Sequence, residues 1–369
     1  MAALKEIPFG RYYGAVDGTP LFVLLAGAYY DRTGDLSFIK DIWPNIHAAI
    51  RWIEEFGDRD GDGFVEYQRR SVDGLLHQGW KDTDDAIFHD DRSEASGPIA
   101  LSEVQSYVYG AWQAAANLAD ALGLHDQAVL PRKRAEHCRE EFNRVFWCED
   151  ISSFALALDG RKRPCRVRTS NAGQCLISGI ATRDHARRVS QTLMSPRSFG
   201  GWGIRTVAEG EARYNPMSYH NGSVWPHDNA LIACGFGRYG FTKEVLAIFQ
   251  GMFEAAMYFD LHRMPELFCG FAREPGEGPV LYPVACAPQS WSAASVFLLL
   301  QAALGLQIDG VKRRLALIRP FLPPFLNDLE ITNLRIGASI LDFHLVRHGD
   351  DVSLKVLRRE GDLEILICQ

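Results

Sequence analysis

The feature that most constrains this chain is a rhythm of paired helices. From residue 18 to about 305, apolar residues recur at helical spacing near 19–33, 37–56, 101–123, 125–147, 183–194, 223–239, 242–259 and 289–305, with a further short segment near 169–179. Short Gly/Asp turns join many of them: "DRTGDLS", "ALGLHDQ" and "GRYGFTKE". Such joints make helical hairpins. Segments such as "SAASVFLLLQAALGL" are apolar on more than one face, whereas their hairpin mates are amphipathic and charged. A helix that is apolar all round must be covered all round, so these segments belong inside and their mates outside. This predicts an all-α fold of the (α/α)6 toroid type, with a functional site among the loops at one mouth. Six hairpins need twelve helices; the nine segments above fall short, so the toroid is expected to be N-terminally incomplete.

The pattern changes after "IDGVKRRLALIRPFLPP". The stretches "LEITNLRIG", "SILDFHLVRH", "DVSLKVLRRE" and "DLEILIC" alternate apolar and polar residues at period two between Gly-Asp turns. They predict a small C-terminal antiparallel β-sheet. The expected division is therefore a helical domain over 1–308 and a sheet region over 309–369 packed on it.

Composition narrows the function. A chain of 369 residues with 47% hydrophobic and 23% charged residues is that of an ordinary soluble protein with a sizeable core. The net charge of −7, with no Lys/Arg cluster interleaved with aromatics, argues against nucleic acid as a partner. No run approaches the ~20 apolar residues of a membrane span, and the N-terminus lacks a secretory leader pattern. The eight cysteines contain no C-x-x-C pair and no zinc-like His/Cys spacing, so they read as reduced thiols of a cytoplasmic protein.

Chemistry concentrates in "HQGWKDTDDAIF", residues 77–88, which sets Asp82, Asp84 and Asp85 beside Trp80 in a half-apolar run. Asp82-Thr83-Asp84-Asp85 spells D-x-D-D, the proton-donor motif of class II terpene cyclases. Those enzymes need a deep apolar cavity and repeated Gln/Trp signatures absent here, and Lys81 and His77 would favour ionised neighbours. Upstream, Asp58, Asp60 and Asp62 precede Gly63 in EF-hand spacing, but the twelfth loop position is Arg69 where a bidentate Glu is required. A polar turn is the better reading, and no metal is expected.

Glycoside cleavage asks less: one carboxylic acid to protonate the leaving oxygen and a second carboxylate across the cleft. The second candidate is Glu266 in "HRMPELFCGF", an ionisable group set in an apolar segment after Pro265, where a charge must be partnered or used. A salt-bridged or helix-capping Glu is the alternative. "NPMSYHNGSVWPHDNALI" adds Tyr219, His220, Asn221, Trp225 and His227 at a helix start, where Trp225 could stack on a sugar and His220 and Asn221 bond hydroxyls, or simply cap and fill the core. Gln289 and Trp291 in "APQSWSAAS" open another helix. In "GRYYGAVDGTPLF", Tyr12, Tyr13 and Asp17 crowd one loop, with capping of the following helix by Asp17 or Thr19 the competing role.

Together, Glu6-Ile-Pro-Phe-Gly10 with "YYGAVDGTPLF", then "QGWKDTDDAI", "GWGIRTVAEGEARYNPMSYHNGSVWPHDNALI", "RMPELFCGF" and "PQSWSAA" resemble, in that order, the catalytic domain of bacterial amylo-alpha-1,6-glucosidases. These glycogen debranching enzyme-like proteins are relatives of mannosylglycerate hydrolase and processing alpha-glucosidase. The resemblance covers essentially the whole chain. It implies an (α/α)6 barrel, inverting hydrolysis of an alpha-glucosidic bond and no cofactor. It places the general acid on Asp82 and the general base on Glu266. Sugar subsites would be lined by Tyr13, Asp17, Trp80, Lys81, Asp85, His220, Asn221, Trp225, His227 and Gln289.

Such relatives carry an N-terminal β domain and an "FGRD"-type opening to the barrel that this sequence does not show, in keeping with the three missing helices. The expected function is inverting hydrolysis of an alpha-glucan or small alpha-glucoside. The contrasting expectation is an inactive glycan-binding paralogue, or a subunit whose barrel is completed by self-association or a partner chain.

Overall fold

The structure, a computed structural model, describes residues 14–349 and 351–368. Tyr12, Tyr13 and the segment 6–10 lie outside the described residues. Nine α-helices are found among the described residues: α1 (Gly18–Thr33), α2 (Leu36–Trp52), α3 (Ser102–Ala121), α4 (His125–Val145), α5 (Asn171–Gln174), α6 (Arg183–Leu193), α7 (Pro226–Tyr239), α8 (Thr242–Ala256) and α9 (Ser290–Leu304). Their ends follow local chemistry. Asp35 caps α2 by accepting the Phe38 amide at 3.0 Å, and Thr182 caps α6 through the His185 amide at 3.2 Å. Pro226 opens α7, three residues later than the apolar pattern suggested, because a proline at the first position lacks only an N–H that would have been unpaired. The segment expected near 169–179 is helical for a single turn before the chain passes into further turns.

The packing separates an inside from an outside. α3 packs between α1 and α4, α5 lies between α3 and α7, and α7 packs on α9 and α8, while α2 backs α1. Helices α1, α3, α5, α7 and α9 thus form an inner arc, with α2, α4, α6 and α8 behind it. The first half of α3, Ser102 to Trp112, is buried on every face, whereas α4 buries only one stripe. Because α1, α3, α5 and α7 are each followed by a returning outer helix, the inner N-termini gather at one end. At the flanks of the arc, Leu25 of α1 is 68% exposed and Phe297 of α9 is 76% exposed.

Four short strands accompany the helices: β1 (Ala100–Leu101) pairs with β4 (Ala157–Leu158), and β2 (Trp147–Cys148) with β3 (Ser153–Phe154). The C-terminal part is two three-stranded sheets, one more than the period-two pattern suggested. β7 (Asp328–Ile336), β8 (Ser339–His348) and β9 (Asp351–Glu360) form an antiparallel meander. β10 (Glu364–Cys368) leaves it and pairs in parallel with β6 (Arg314–Ile318), whose other edge holds β5 (Leu306–Asp309) antiparallel. The expectation of one antiparallel sheet is corrected here, because alternation reveals a half-buried strand but not its partner's direction.

Gly305 makes the sharp exit from α9 into β5. Its φ is +53°, and a Cβ there would stand 1.9 Å from the Ile318 carbonyl oxygen. The sheets have their own core, built on Leu315, Leu317, Phe343 and Leu345, which also takes in Leu304 at the end of α9. The boundary expected at 308/309 falls inside β5. No helix among the described residues is long and apolar enough to cross a membrane.

Candidate active site

The gathered N-termini of the inner helices make the floor of the site. Asp17 precedes α1, Glu103 lies in the first turn of α3, Asn171 opens α5, His227 and Asp228 lie in the first turn of α7, and Gln289 precedes α9. Helix N-termini present unpaired N–H groups and a positive field, so this is where a chain can hold several carboxylates close together. The long loop between α2 and β1 crosses over this floor, tied at Val16 N to Gln78 O at 2.9 Å, and carries Trp80 to Asp85.

The segment containing Glu266 is brought in by backbone pairing. Val224 and Phe268 exchange amide bonds at 2.9 and 3.0 Å, which sets Glu266 beside the start of α7, and the Glu266 amide donates to Cys286 O at 2.9 Å. Glu266 is 7% exposed. Its Oε1 accepts from the Tyr219 hydroxyl at 2.8 Å and from Gln289 Nε2 at 3.3 Å, and its Oε2 accepts from the Cys286 amide at 3.1 Å. Three donors fix its direction. No salt bridge to Arg263 is found among the described residues, and the residue caps no helix.

Asp82 stands on the open side of this floor. Partial burial raises its pKa above the ordinary carboxylate value, and the charge of Glu266 pushes in the same direction. Asp17, which makes no capping hydrogen bond to α1, is raised by burial, with a contribution from Asp82. Tyr219 is raised first by burial and then by its bond to Glu266, and it too lies in the field of Asp82. Asp82, Asp17, Tyr219 and Glu266 therefore share one electrostatic neighbourhood.

The other expected residues divide into two groups. Trp80 is half-buried, its ring edge-on to those of His220, Trp225 and His227 at centroid distances of 5.7, 5.6 and 5.0 Å. Gln289 bonds Glu266 directly, and Asp85 is exposed at the rim. Trp225 is 1% exposed, lies parallel to His220 at 5.1 Å and donates Nε1 to Tyr219 O and Ser223 Oγ. It offers no face to a sugar, which corrects the stacking role; its burial follows from the bulk of the surrounding rings.

His220 and Asn221, each 1% exposed, do not line a subsite either. His220 Nδ1 pairs with Thr83 Oγ1 at 3.0 Å, and Asn221 Nδ2 bonds Asp85 Oδ2 at 3.0 Å and Asp85 O at 3.1 Å. They hold the acidic loop from below. Lys81, also 1% exposed, donates to Thr206 O at 2.9 Å and is likewise under the floor. His227, 9% exposed, lies flat against Trp291 at 4.0 Å. Burial drives His220 and His227 down to about 3, so both imidazoles are neutral near pH 7.

Tyr282 and Glu103 had no place among the expected site residues, and Tyr219 was named with its segment but given no role. Tyr282 packs its ring 5.5 Å from that of Tyr219. The sequence did hold a signal for Glu103, the one acid in the first turn of its helix.

Asp58, Asp60 and Asp62 do converge, with carboxylate oxygens within 4.8 Å of one another. Lys162 Nζ stands among them, 2.9 Å from Asp60 and 2.6 Å from Asp62, and reaches Glu66 at 2.5 Å. Asp58 accepts the Gly61 and Gly63 amides at 2.8 and 2.9 Å. An ammonium occupies the place a cation would take.

Likeness to solved structures agrees with this architecture. The GH78 family rhamnosidase of Bacillus sp. GL1 superposes with a TM-score of 0.67 at 17% identity, over 94% of this chain and 32% of the rhamnosidase. This chain therefore spans about a third of that protein's length. The GH63 mannosylglycerate hydrolase from Thermus thermophilus superposes with a TM-score of 0.57 at 15% identity, over 78% of this chain and 77% of the hydrolase. An uncharacterised conserved protein from the same organism gives 0.58 at 15% identity, over 78% and 79%. At these identities the likeness is one of fold. No curated protein matches the chain. The sequence itself carries the family: residues 18–264, from the start of α1 to just before Glu266, match the profile of the mannosylglycerate hydrolase MGH1-like glycoside hydrolase domain. The chain belongs to the mannosylglycerate hydrolase MGH1-like glycoside hydrolase domain family.

Proposed function

We propose that this domain is an inverting glycoside hydrolase acting on an alpha-glucosidic bond of an alpha-glucan or small alpha-glucoside. Asp82 is the general acid and Glu266 the general base. The observation that carries the assignment is that these two carboxyls, distant in sequence, face one neighbourhood in which the charge of Glu266 raises the proton affinity of Asp82. An acid must hold its proton until the glycosidic oxygen arrives, and a second carboxylate across the cleft favours that. Glu266, oriented by Tyr219, Gln289 and the Cys286 amide, is suited to draw a proton from a water attacking the opposite face of the sugar. No cofactor enters the mechanism.

The remaining assignments follow the same reading. Asp17, Trp80 and Asp85 line the sugar subsite, with Gln289 at its edge. The arc of inner helices is part of an (α/α)6 toroid, and the exposed apolar flanks on α1 and α9 favour completion by self-association or a partner chain. Eight free thiols fit the cytoplasm.

A substrate panel of maltose, isomaltose, a limit dextrin and mannosylglycerate tests the specificity. Release of glucose from one of the glucosides supports the proposal, and turnover of mannosylglycerate alone overturns the alpha-glucoside assignment. Asp82→Asn and Glu266→Gln should each abolish turnover while retaining substrate binding. Unchanged turnover in either variant refutes that residue's role.

A further inference from the structure

Lys81 is the charged group beneath the site that the proposed chemistry does not use. Its ammonium is held by Thr206 O at 2.9 Å, stands 5.1 Å from the centre of the Trp80 ring, and lies in the field of Asp228 and Glu103. Both acids are buried, at 0% and 1% exposure, one in the first turn of α7 and the other in the first turn of α3. Neither is fully satisfied: among the described residues, Asp228 Oδ2 and Glu103 Oε2 have no hydrogen-bond partner. Two buried acids in that condition are favoured by a cation nearby, and Lys81 lies in the field of both. Burial drives Lys81 down to about 8 and Glu103 up to about 7, which is the signature of charges kept from water.

The backbone around Lys81 has little else to hold it. Among the described residues, 79–82 make no backbone–backbone hydrogen bond to another segment; the nearest such tie is Gln78 O to Val16, and Thr83 O accepts only from Ala86 within its own turn. Gly79 presses directly against Leu101, where a Cβ would come within 2.3 Å of Cδ1. Thr83 is tied by its side chain to His220. Between these points the Trp80 ring packs edge-on against His220, Trp225 and His227, and the side chain of Lys81 reaches deeper, to Thr206 O.

We infer that Lys81 is a positioning residue: its buried ammonium, held by Thr206 O in the field of the acids in the first turns of α3 and α7, pins the Trp80–Asp82 segment and thereby sets the Asp82 carboxyl over the sugar site. The inference rests on the reading of Asp82 as the acid. It differs from a subsite role, because an amine this deeply buried does not meet substrate.

The test uses the full chain with Lys81→Met and the double variant Lys81→Met/Asp228→Asn, which removes one buried acid together with its cation and so protects the fold. Hydrogen exchange is read over 77–88 and, as control, over α4. We expect exchange over 77–88 to quicken at least about tenfold in the double variant with α4 unchanged, as for a segment released into local opening. Unaltered protection over 77–88 overturns the inference.

Catalysis gives the second readout. On an O-glycoside, kcat should fall by about 10²-fold or more, the scale of lost general-acid assistance, with KM within about threefold. On the matching alpha-glycosyl fluoride, whose leaving group needs little protonation, the fall should stay below about fivefold. Equal losses on both substrates overturn the positioning role. Asp82→Asn is the reference: if it loses both substrates equally, the acid assignment fails instead, and the exchange experiment alone decides the anchoring of 77–88.

Discussion

Replacing Tyr219 by Phe removes one atom from the site and leaves the rest of the side chain in place. The lost hydroxyl donates to Glu266 Oε1 at 2.8 Å, the shortest of the three bonds that orient the carboxylate. Hydrogen bonds to a charged group contribute about 1.5–3 kcal/mol, which corresponds to roughly 10- to 150-fold in rate if all of it serves the transition state. Two donors remain, the Cys286 amide at 3.1 Å and Gln289 Nε2 at 3.3 Å, so the lower part of that range applies. We therefore expect kcat to fall about 10- to 50-fold.

Stability should barely change. The phenyl ring keeps its neighbours, with the rings of His220, Trp225 and Tyr282 at 4.6, 4.9 and 5.5 Å, and the bonds from Ser223 Oγ and Trp225 Nε1 go to the Tyr219 carbonyl, which Phe also carries. The assay is steady-state kinetics on the best substrate of the panel, alongside a thermal melt. A kcat within twofold of the parent, or a loss explained by a collapse in Tm, would refute the orienting role.

Further expectations follow from the same structure. Glu266→Gln removes the charge that helps raise Asp82, so the Asp82 carboxyl, followed by carbon-13 NMR, should titrate at lower pH in the variant; an unmoved titration would separate the two residues electrostatically. Glu103 holds its proton up to about 7 in the folded chain against an ordinary 4.5, so the folded state binds more protons than the unfolded between these values and stability falls as pH rises through them. Glu103→Gln should flatten that decline in urea melts at pH 5 and pH 7, and an unchanged slope would contradict the burial effect. Lys162→Met leaves Asp60, Asp62 and the buried Glu66 facing one another and should cost about 1–3 kcal/mol, discounted for partial exposure. Millimolar calcium should stabilise that variant but not the parent, and stabilisation of the parent would restore a cation role to the loop. Finally, Leu25→Lys/Phe297→Lys should reduce concentration-dependent association in sedimentation; equal association would clear these flanks.

The helices were legible because their signal is local and repeated. A segment such as α9, apolar on more than one face, announces an inner position, and Gly305 ends it where a positive φ is needed. Glu266 stood out in the sequence for a different reason: an acid placed in "PELF" costs free energy unless it is partnered or used, and three donors partner it here. What the sequence hid was depth. Lys81 sits between the half-buried Trp80 and the exposed Asp82, yet it is sealed by a bond to the distant Thr206, and Trp225 is sealed among Tyr219, Ser223 and His220. A tryptophan next to polar residues reads alike whether it is a platform or a foundation. The parallel pairing of β10 with β6 was hidden in the same way, since period-two alternation has no sense of direction.

The central claim, a proton donor at 82 and a water activator at 266 working across one sugar ring, fixes the stereochemistry of the product. Proton NMR of the first product released from an alpha-glucoside, recorded before mutarotation, reads it directly. Inversion, giving the beta anomer, is the predicted result and goes with carboxyls roughly 6.5–9.5 Å apart; release of the alpha anomer, which requires a spacing of about 5–5.5 Å and a covalent intermediate, would contradict the mechanism.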